Sequence, residues 1–267
     1  MTVPAIVRVR APSVVRRSFQ HVPPLRGLLP LAIGLALWQV AAESGSPYFP
    51  PPSSWLSALG GLVASGSFWP ALWSTVVTFL IGLTLATVIG AVAGGVVGRS
   101  RAVDRILGPL LEYCRVMPAP AVVPLAVLFG GYSESAKLVV VTYLAVWPIL
   151  LQVRAAARGI PPALLDVAQI MRLGHWGTAT KIIVPAVRTG ALVGVRVAAP
   201  VALVATLLVE LLTAIPGLGA LIGAAQDKFD ASTVYGLVAV GGIMGALISM
   251  AVFASEGSLA RASGGNS

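Results

Sequence analysis

Six apolar segments run through the chain, at 28–42, 69–98, 117–131, 138–151, 182–212 and 234–253, and the stretches between them carry nearly all of its charge. The segment at 69–98 exceeds the roughly 20 apolar residues that a membrane-crossing helix needs. Its Gly90-x-x-x-Gly94 and Gly94-x-x-x-Gly98 spacings permit close helix contact, although glycine is frequent in membrane helices for other reasons too. The segment at 28–42 is short for a span, even when Glu43 and Ser44 extend it into the interface. Val40 and Ala42 mimic a signal-peptidase site, but the arginine-bearing leader ahead of them favours a retained anchor. The segment at 117–131 is broken by Pro118, Pro120 and Pro124, whose missing donors leave carbonyls for neighbouring helices or a cavity to satisfy.

The polar stretches differ in kind. Residues 1–27 hold Arg8, Arg10, Arg16, Arg17 and Arg26 among prolines without periodicity, which predicts a disordered tail. Residues 46–66 carry the Pro50-Pro51-Pro52 run and then Trp55, Leu56 and Leu59 without a lysine or arginine, a pattern expected of an interfacial helix on the outer side. Residues 99–115 form a polar loop with four arginines, residues 213–230 a loop containing Pro216-Gly217-Leu218-Gly219, and residues 256–267 a Ser/Gly-rich C-terminal tail.

One polar stretch, 161–185, has the character of folded structure. Pro161 and Pro162 suit the opening turn of a helix, where missing N–H groups cost nothing. Leu164, Val167, Ala168 and Met171 follow at i, i+3, i+4 and i+7, an apolar stripe. Asp166 sits near the N-terminal end, where the helix dipole favours negative charge. Gly174 and Gly177 break this helix, and a second short one carries Trp176 to Lys181 into the next apolar segment. The result is a helix–turn–helix with an apolar face and no span-length run, which calls for a protein partner.

Composition fixes the class. Of the 267 residues 57% are hydrophobic and only 10% charged, against about 25% charged in soluble domains, and the mean hydropathy is +0.91. This is an all-α membrane protein. Its net charge of +9 has too little polar surface around it to form a nucleic-acid patch. The charge is explained by position. With both termini cytoplasmic, sixteen of the eighteen basic residues belong to the inner side, counting Arg188 and Arg196 that reach into the following span, and only Lys137 and Lys228 fall outside, as the positive-inside rule requires. The single cysteine, Cys114, excludes an intrachain disulfide. His21 and His175 stand far apart, without an HExxH pattern, so no metal site is expected, and no Gly-Lys pair offers a P-loop. No catalytic constellation is expected and the chain is not read as an enzyme. Within the spans the candidate pathway charges are Arg196 and Glu210, with Arg188 nearer the end. Arg196 and Glu210 are about 21 Å apart along one helix and within about 40° in azimuth, too distant to pair yet able to face one interior.

The island resembles the signature loop of the membrane subunits of ABC importers, a Glu-Ala-Ala, then Gly, then Ile-x-Leu-Pro pattern of fixed length. Counting back from Pro185, the acidic position falls on Asp166, the two alanines on Val167 and Ala168, the isoleucine on Ile182 and the Leu-Pro pair on Val184 and Pro185. The glycine position falls on Arg172, a departure, with Gly174 two residues on; the turn is expected to shift there. Further stretches resemble the permeases that handle nitrate, sulfonates, taurine and bicarbonate. These are Arg115-Val-Met-Pro-Ala-Pro with Pro124-Leu-Ala-Val-Leu-Phe-Gly, Glu134-Ser-Ala-Lys, the Pro-Pro-Ser before Trp55, and Glu210 followed by Gly217-Leu-Gly.

The resemblance covers roughly 28–255. It implies a type I ABC importer permease fold of six transmembrane helices with a coupling loop at 161–185. The residues it would place against the ATPase are Asp166, Val167, Ala168, Met171, Arg172, Gly174, His175 and Trp176. It further implies that ATP is bound by a partner subunit and no cofactor by this chain, that a solute-binding protein delivers the substrate, and that a second permease copy completes a dimer in a prokaryotic plasma membrane. The alternative is a secondary transporter driven by an ion gradient, which would place ionisable residues inside its helices and leave the island unexplained.

Overall fold

In the computed structural model residues 25–42 and 48–263 are described. Every regular element among them is helical. The chain divides into two units, 1–41 and 42–267. The first contains α1 (Leu25–Ala41), 17 residues with Pro30 inside it, about 25 Å long at 1.5 Å per residue and so short of the ~30 Å hydrocarbon core. Residues 1–24 of the expected tail lie outside the described residues, whereas Leu25 already opens the helix.

The second unit holds the remaining helices: α2 (Pro52–Ala64), α3 (Phe68–Arg99), α4 (Arg101–Val116), α5 (Ala119–Gly130), α6 (Glu134–Arg158), α7 (Pro162–Ile170), α8 (His175–Thr178), α9 (Val184–Thr213), α10 (Leu218–Asp227) and α11 (Ala231–Ser263). A π-helical turn, Ala179–Ile183, joins α8 to α9. Among the described residues four helices are long and apolar enough to cross a membrane: α3, α6, the continuous His175–Thr213 stretch, and α11 as far as Val252. A fifth arises if α4 and α5, bent by 100° at their junction, are one broken span. The six expected segments are thus all helical, but those at 28–42 and 117–131 are too short to span alone. The C-terminal stretch from 256 continues α11 to Ser263, since Ala, Leu, Glu and Arg offset its glycine and serines in helix propensity.

The expected polar loop at 99–115 is helix α4. Ser100 caps it by accepting from the Val103 N–H at 3.3 Å, and Asp104 lies in its first turn. It ends because Met117 precedes Pro118 and is pushed to ψ 125. Pro118 and Pro120 occupy the cap and first turn of α5, where they remove no intrahelical bond, so Pro124 alone interrupts that ladder.

The core is α6 held between α3 and α9. On α3, Gly82, Ala86, Gly90, Gly94 and Gly98 form a row at four-residue spacing that lies against α6. A Cβ at Gly94 would stand 2.5 Å from the Leu150 carbonyl oxygen, and one at Gly98 2.6 Å from that of Arg154. On α9, Gly190 and Gly194 meet Gln152 and Ile149 in the same way, and the row continues through buried Ala198 and Ala202. Small residues let both backbones approach α6 closely. The Gly-x-x-x-Gly spacing of the sequence is therefore a packing surface.

Candidate functional site

The island opens as its prolines dictate, with Pro161 as N-cap and Pro162 in the first turn of α7. Its turn lies at Arg172, not at Gly174. Arg172 adopts φ 51, its N–H donates to the Gln169 carbonyl at 2.9 Å, and the Leu173 N–H reaches back to Ala168 at 2.9 Å. This paired 5→2 and 6→1 bonding is a Schellman stop, in which the left-handed position is ordinarily a glycine. Arginine occupies the family's glycine position and takes glycine's conformation, at roughly 1–2 kcal/mol for a residue with a Cβ. The first helix therefore ends before either expected breaker: Gly174 is the extended N-cap of α8 and Gly177 lies inside α8. The π turn precedes Pro185 in the first turn of α9. A proline there has no N–H to give, and the ladder shifts to i→i−5, with the Val184 N–H bonding Ala179.

The expected apolar stripe divides in two. Ala168 is only 2% exposed and faces inward, whereas Leu164, Val167, Ile170, Met171 and Trp176 are exposed, Ile170 at 81% and Trp176 at 82%. Ile170 lies off the i, i+3, i+4, i+7 stripe and still belongs to the exposed apolar surface. Asp166, Arg172, Gly174 and His175 are exposed beside it. Below the start of α7 a cavity of about 390 Å³ opens between Gln152, Ala156, Ile160, Leu164, Thr189 and Val193.

The two candidate pathway charges are not brought together. The buried row on α9 runs Gly190, Gly194, Ala198, Ala202, Thr206 and Glu210, and each four-residue step advances about 40° around the helix. At the level of Arg196 the buried side is therefore opposite Arg196, which is exposed. By Glu210 it has come round to that azimuth, and Glu210 is fully buried. Arg188 is likewise exposed.

Glu210 instead joins a polar cluster between three helices. Its carboxylate accepts from the Thr75 hydroxyl of α3 at 2.9 Å and from the Gly219 N–H at 3.0 Å. Lys137 of α6, also fully buried, stands 3.5 Å away. The Lys137 ammonium further donates to the Ser74 hydroxyl at 3.0 Å and the Pro216 carbonyl at 3.1 Å, and pairs with Glu134 at 2.7 Å. Thr75 in turn accepts from the Leu218 N–H at 2.9 Å. Any Cβ on Gly217 or Gly219 would collide with Glu210, the first with its carboxylate and the second with its Cβ. Sequence reading placed Lys137 on the outer loop as an exception to the charge rule. It is instead a neutralised member of this cluster, and the usable signal was Glu134 three residues ahead of it, one helical turn away.

At the other end of α6, Arg154 binds Asp104 through Nε at 2.6 Å, Arg158 binds the same carboxylate, and Arg154 Nη1 lies 3.8 Å from Glu112. Among the described residues no group of three or more His, Cys, Asp or Glu side chains is placed to hold a metal.

A model of the binding-protein-dependent transport system inner membrane component family matches residues 86–263, which include the island, helices α6 and α9, and Lys137 and Glu210. The chain belongs to this family. It is a transport permease of the ABC importer type. Over 226 residues it is 26% identical to a Bacillus subtilis strain 168 protein named as an aliphatic sulfonates transport permease, SsuC, covering 84% of this chain and 82% of that one. It is 28% identical over 234 residues to the bicarbonate transport system permease protein CmpB of Synechococcus elongatus, covering 81% and 84%. With the nitrate import permease protein NrtB of the same organism it shares 29% over 230 residues, 80% and 82% of the two chains. A solved chain from the inward-facing MetNI methionine ABC transporter superposes with a TM-score of 0.59 at 17% identity, covering 67% of this permease and 90% of that chain. The fold is accordingly that of a type I importer permease, multi-pass and all-helical.

Proposed function

We propose that the permease forms one half of a homodimeric pathway for a small anion, of the sulfonate, nitrate or bicarbonate kind named for its relatives. A solute-binding protein delivers the anion, and a separate subunit binds and hydrolyses the ATP. Both termini and the 161–185 island lie in the cytoplasm in this reading, supported by the sixteen-to-two division of basic residues. The observation that carries the coupling role is the exposed apolar set on α7 and α8: Leu164, Val167, Ile170, Met171 and Trp176. Apolar area gathered on a membrane protein's polar flank, beyond the spans themselves, marks a protein contact.

The ion-gradient alternative loses support from the Glu210 cluster. Lys137 and Glu210 are the fully buried charged side chains among the described residues, and both are held by protein partners, which leaves no vacant fully buried carboxylate among those residues for a coupling ion.

Ile170→Glu places a charge on the outward face without entering the core. ATPase co-purification and ATP-dependent anion uptake should both fall, with membrane insertion unchanged; full coupling in that variant would show the island to be an ordinary surface helix. Ala168→Glu is the poorer test, because at 2% exposure it would unfold the island itself.

A further inference from the structure

Between the end of α3, the start of α4, the end of α6 and the start of α7 lies an open cavity of about 870 Å³. Arg99, Arg101, Arg105 and Arg158 line it, together with one carboxylate, Asp104, and the apolar Leu165 of α7. Asp104 is already held by Arg154 and Arg158. Arg99, Arg101 and Arg105 form no ion pair among the described residues, so three of the four lining arginines have no carboxylate partner.

We propose that this cavity binds the phosphodiester headgroup of an anionic phospholipid of the cytoplasmic leaflet. The proposal rests on the orientation given above, which places this end of α3 in the cytoplasm. Three observations select a lipid. Arg99 is the last residue of the 32-residue apolar helix α3, so the cavity lies at the depth where headgroups begin. Helix α4 presents Ile106, Leu110 and Tyr113 at i, i+4 and i+7, all exposed, while Arg101 and Arg105 stand one turn apart at its start. An exposed apolar strip with a basic edge is the pattern of a helix lying in the interface, with acyl chains against the strip and phosphate against the arginines. Basic pockets between membrane helices on the cytoplasmic side also suit lipid phosphate by charge and geometry, since guanidinium offers it paired donors. A headgroup seated there would touch both α4 and Leu165 of α7, bracing the island against the body of the permease.

The test is native mass spectrometry of the permease released from nanodiscs of phosphatidylcholine with a fraction of phosphatidylglycerol. Wild type should retain phosphatidylglycerol selectively. The double variant Arg101→Gln/Arg105→Gln should lose that retention by about tenfold or more, given a contribution near 1 kcal/mol per basic residue. Arg101→Lys/Arg105→Lys keeps the charge and should retain most of it, which separates lost binding from lost folding. Equal retention in the Gln double variant overturns the proposal. So does displacement of the lipid by inorganic phosphate, which would make this a site for a free anion. Loss of the ATPase subunit from the Gln variant with lipid retention unchanged would make the surface a protein contact, again against the proposal. Because lipid is weighed on the permease itself, these outcomes stand apart from whether the island couples to an ATPase.

Discussion

Removing one charge from the Lys137–Glu210 cluster should destabilise the permease far more than an average substitution, and removing both should cost less than the two losses added. In Glu210→Gln the side chain keeps one oxygen for the Thr75 hydroxyl or the Gly219 N–H but no longer neutralises Lys137. Breaking a buried pair by deleting one partner costs about 3–5 kcal/mol. Here Glu134, 60% exposed, remains 2.7 Å from the ammonium, and an exposed partner returns about 0.2–1 kcal/mol. The 3.5 Å separation of Lys137 from Glu210 is also long for a hydrogen bond. A loss of roughly 2–4 kcal/mol follows. At about 2–4 °C per kcal/mol for a chain of this size, the melting temperature should fall by roughly 5–15 °C.

Lys137→Met should have a loss of similar size, because Glu210 then keeps Thr75 and Gly219 but no cation. In the double variant neither charge is left uncompensated, and replacing a whole buried pair with apolar or neutral groups is often near neutral. With each single loss at roughly 2–4 kcal/mol and the double near neutral, the coupling should be about 4 kcal/mol or more, above the roughly 0.5–3 kcal/mol usual for contacting residues, with the double variant more stable than the sum of the singles. Thermal unfolding of the detergent-purified permease, single variants and double side by side, measures it. Additivity within about 0.5 kcal/mol would refute the cluster as an interacting unit.

Arg172→Gly should stabilise the island, since it removes a left-handed arginine at roughly 1–2 kcal/mol while loosening the unfolded chain by about 0.4–1 kcal/mol; the net gain, under about 1.5 kcal/mol, should appear as slower proteolysis at 161–185, and faster cleavage would deny that the turn sits at Arg172. For the orientation, cysteines introduced at Ser53 or Ser232 in a background lacking Cys114 should react with an impermeant reagent from outside intact cells, and those at Ser18 or Ser263 only after permeabilisation; the reverse pattern would invert the topology.

Much of the fold was legible because each long apolar segment reports its own helix, and the island was legible because Pro161, Pro162 and the stripe report a helix start and a face. The failures share a cause. The region 99–115 reads as a loop by its arginines, yet Ser100 caps it and its apolar side chains recur on one face. Polarity alone does not separate an amphipathic helix from a loop. Glycine is the usual left-handed residue and so points to Gly174, whereas the Schellman bonds fix the position from the backbone, and Arg172 adopts what the motif demands. Ala168 was grouped with the exposed stripe because periodicity gives an apolar face without saying which edge of it meets the core. Arg196 and Glu210 were placed on one face by their azimuth, but a helix packed along a row of small residues turns its buried side with depth.

The Glu210 cluster was visible only as fragments: Glu134-Ser-Ala-Lys in one place, a lone Glu210 in another, Gly217-Leu-Gly in a third. None means much locally, and their relation is physical. Inside a membrane the hydrophobic effect does not favour helix against helix over helix against lipid, so apolar packing alone sets the register of α3, α6 and α9 weakly. The rows of small residues allow close approach at more than one register. A buried carboxylate with a lysine from one neighbour, a threonine from the other and a backbone N–H from the following turn has one arrangement that satisfies every group, since an unmet partner costs several kcal/mol in that medium. Gly217 follows from the same constraint, because a side chain there would collide with the Glu210 carboxylate, whereas Gly219 is required chiefly by the close approach of the Leu207 carbonyl oxygen. The glycine rows therefore let the three helices meet, and the polar cluster selects the register in which they do.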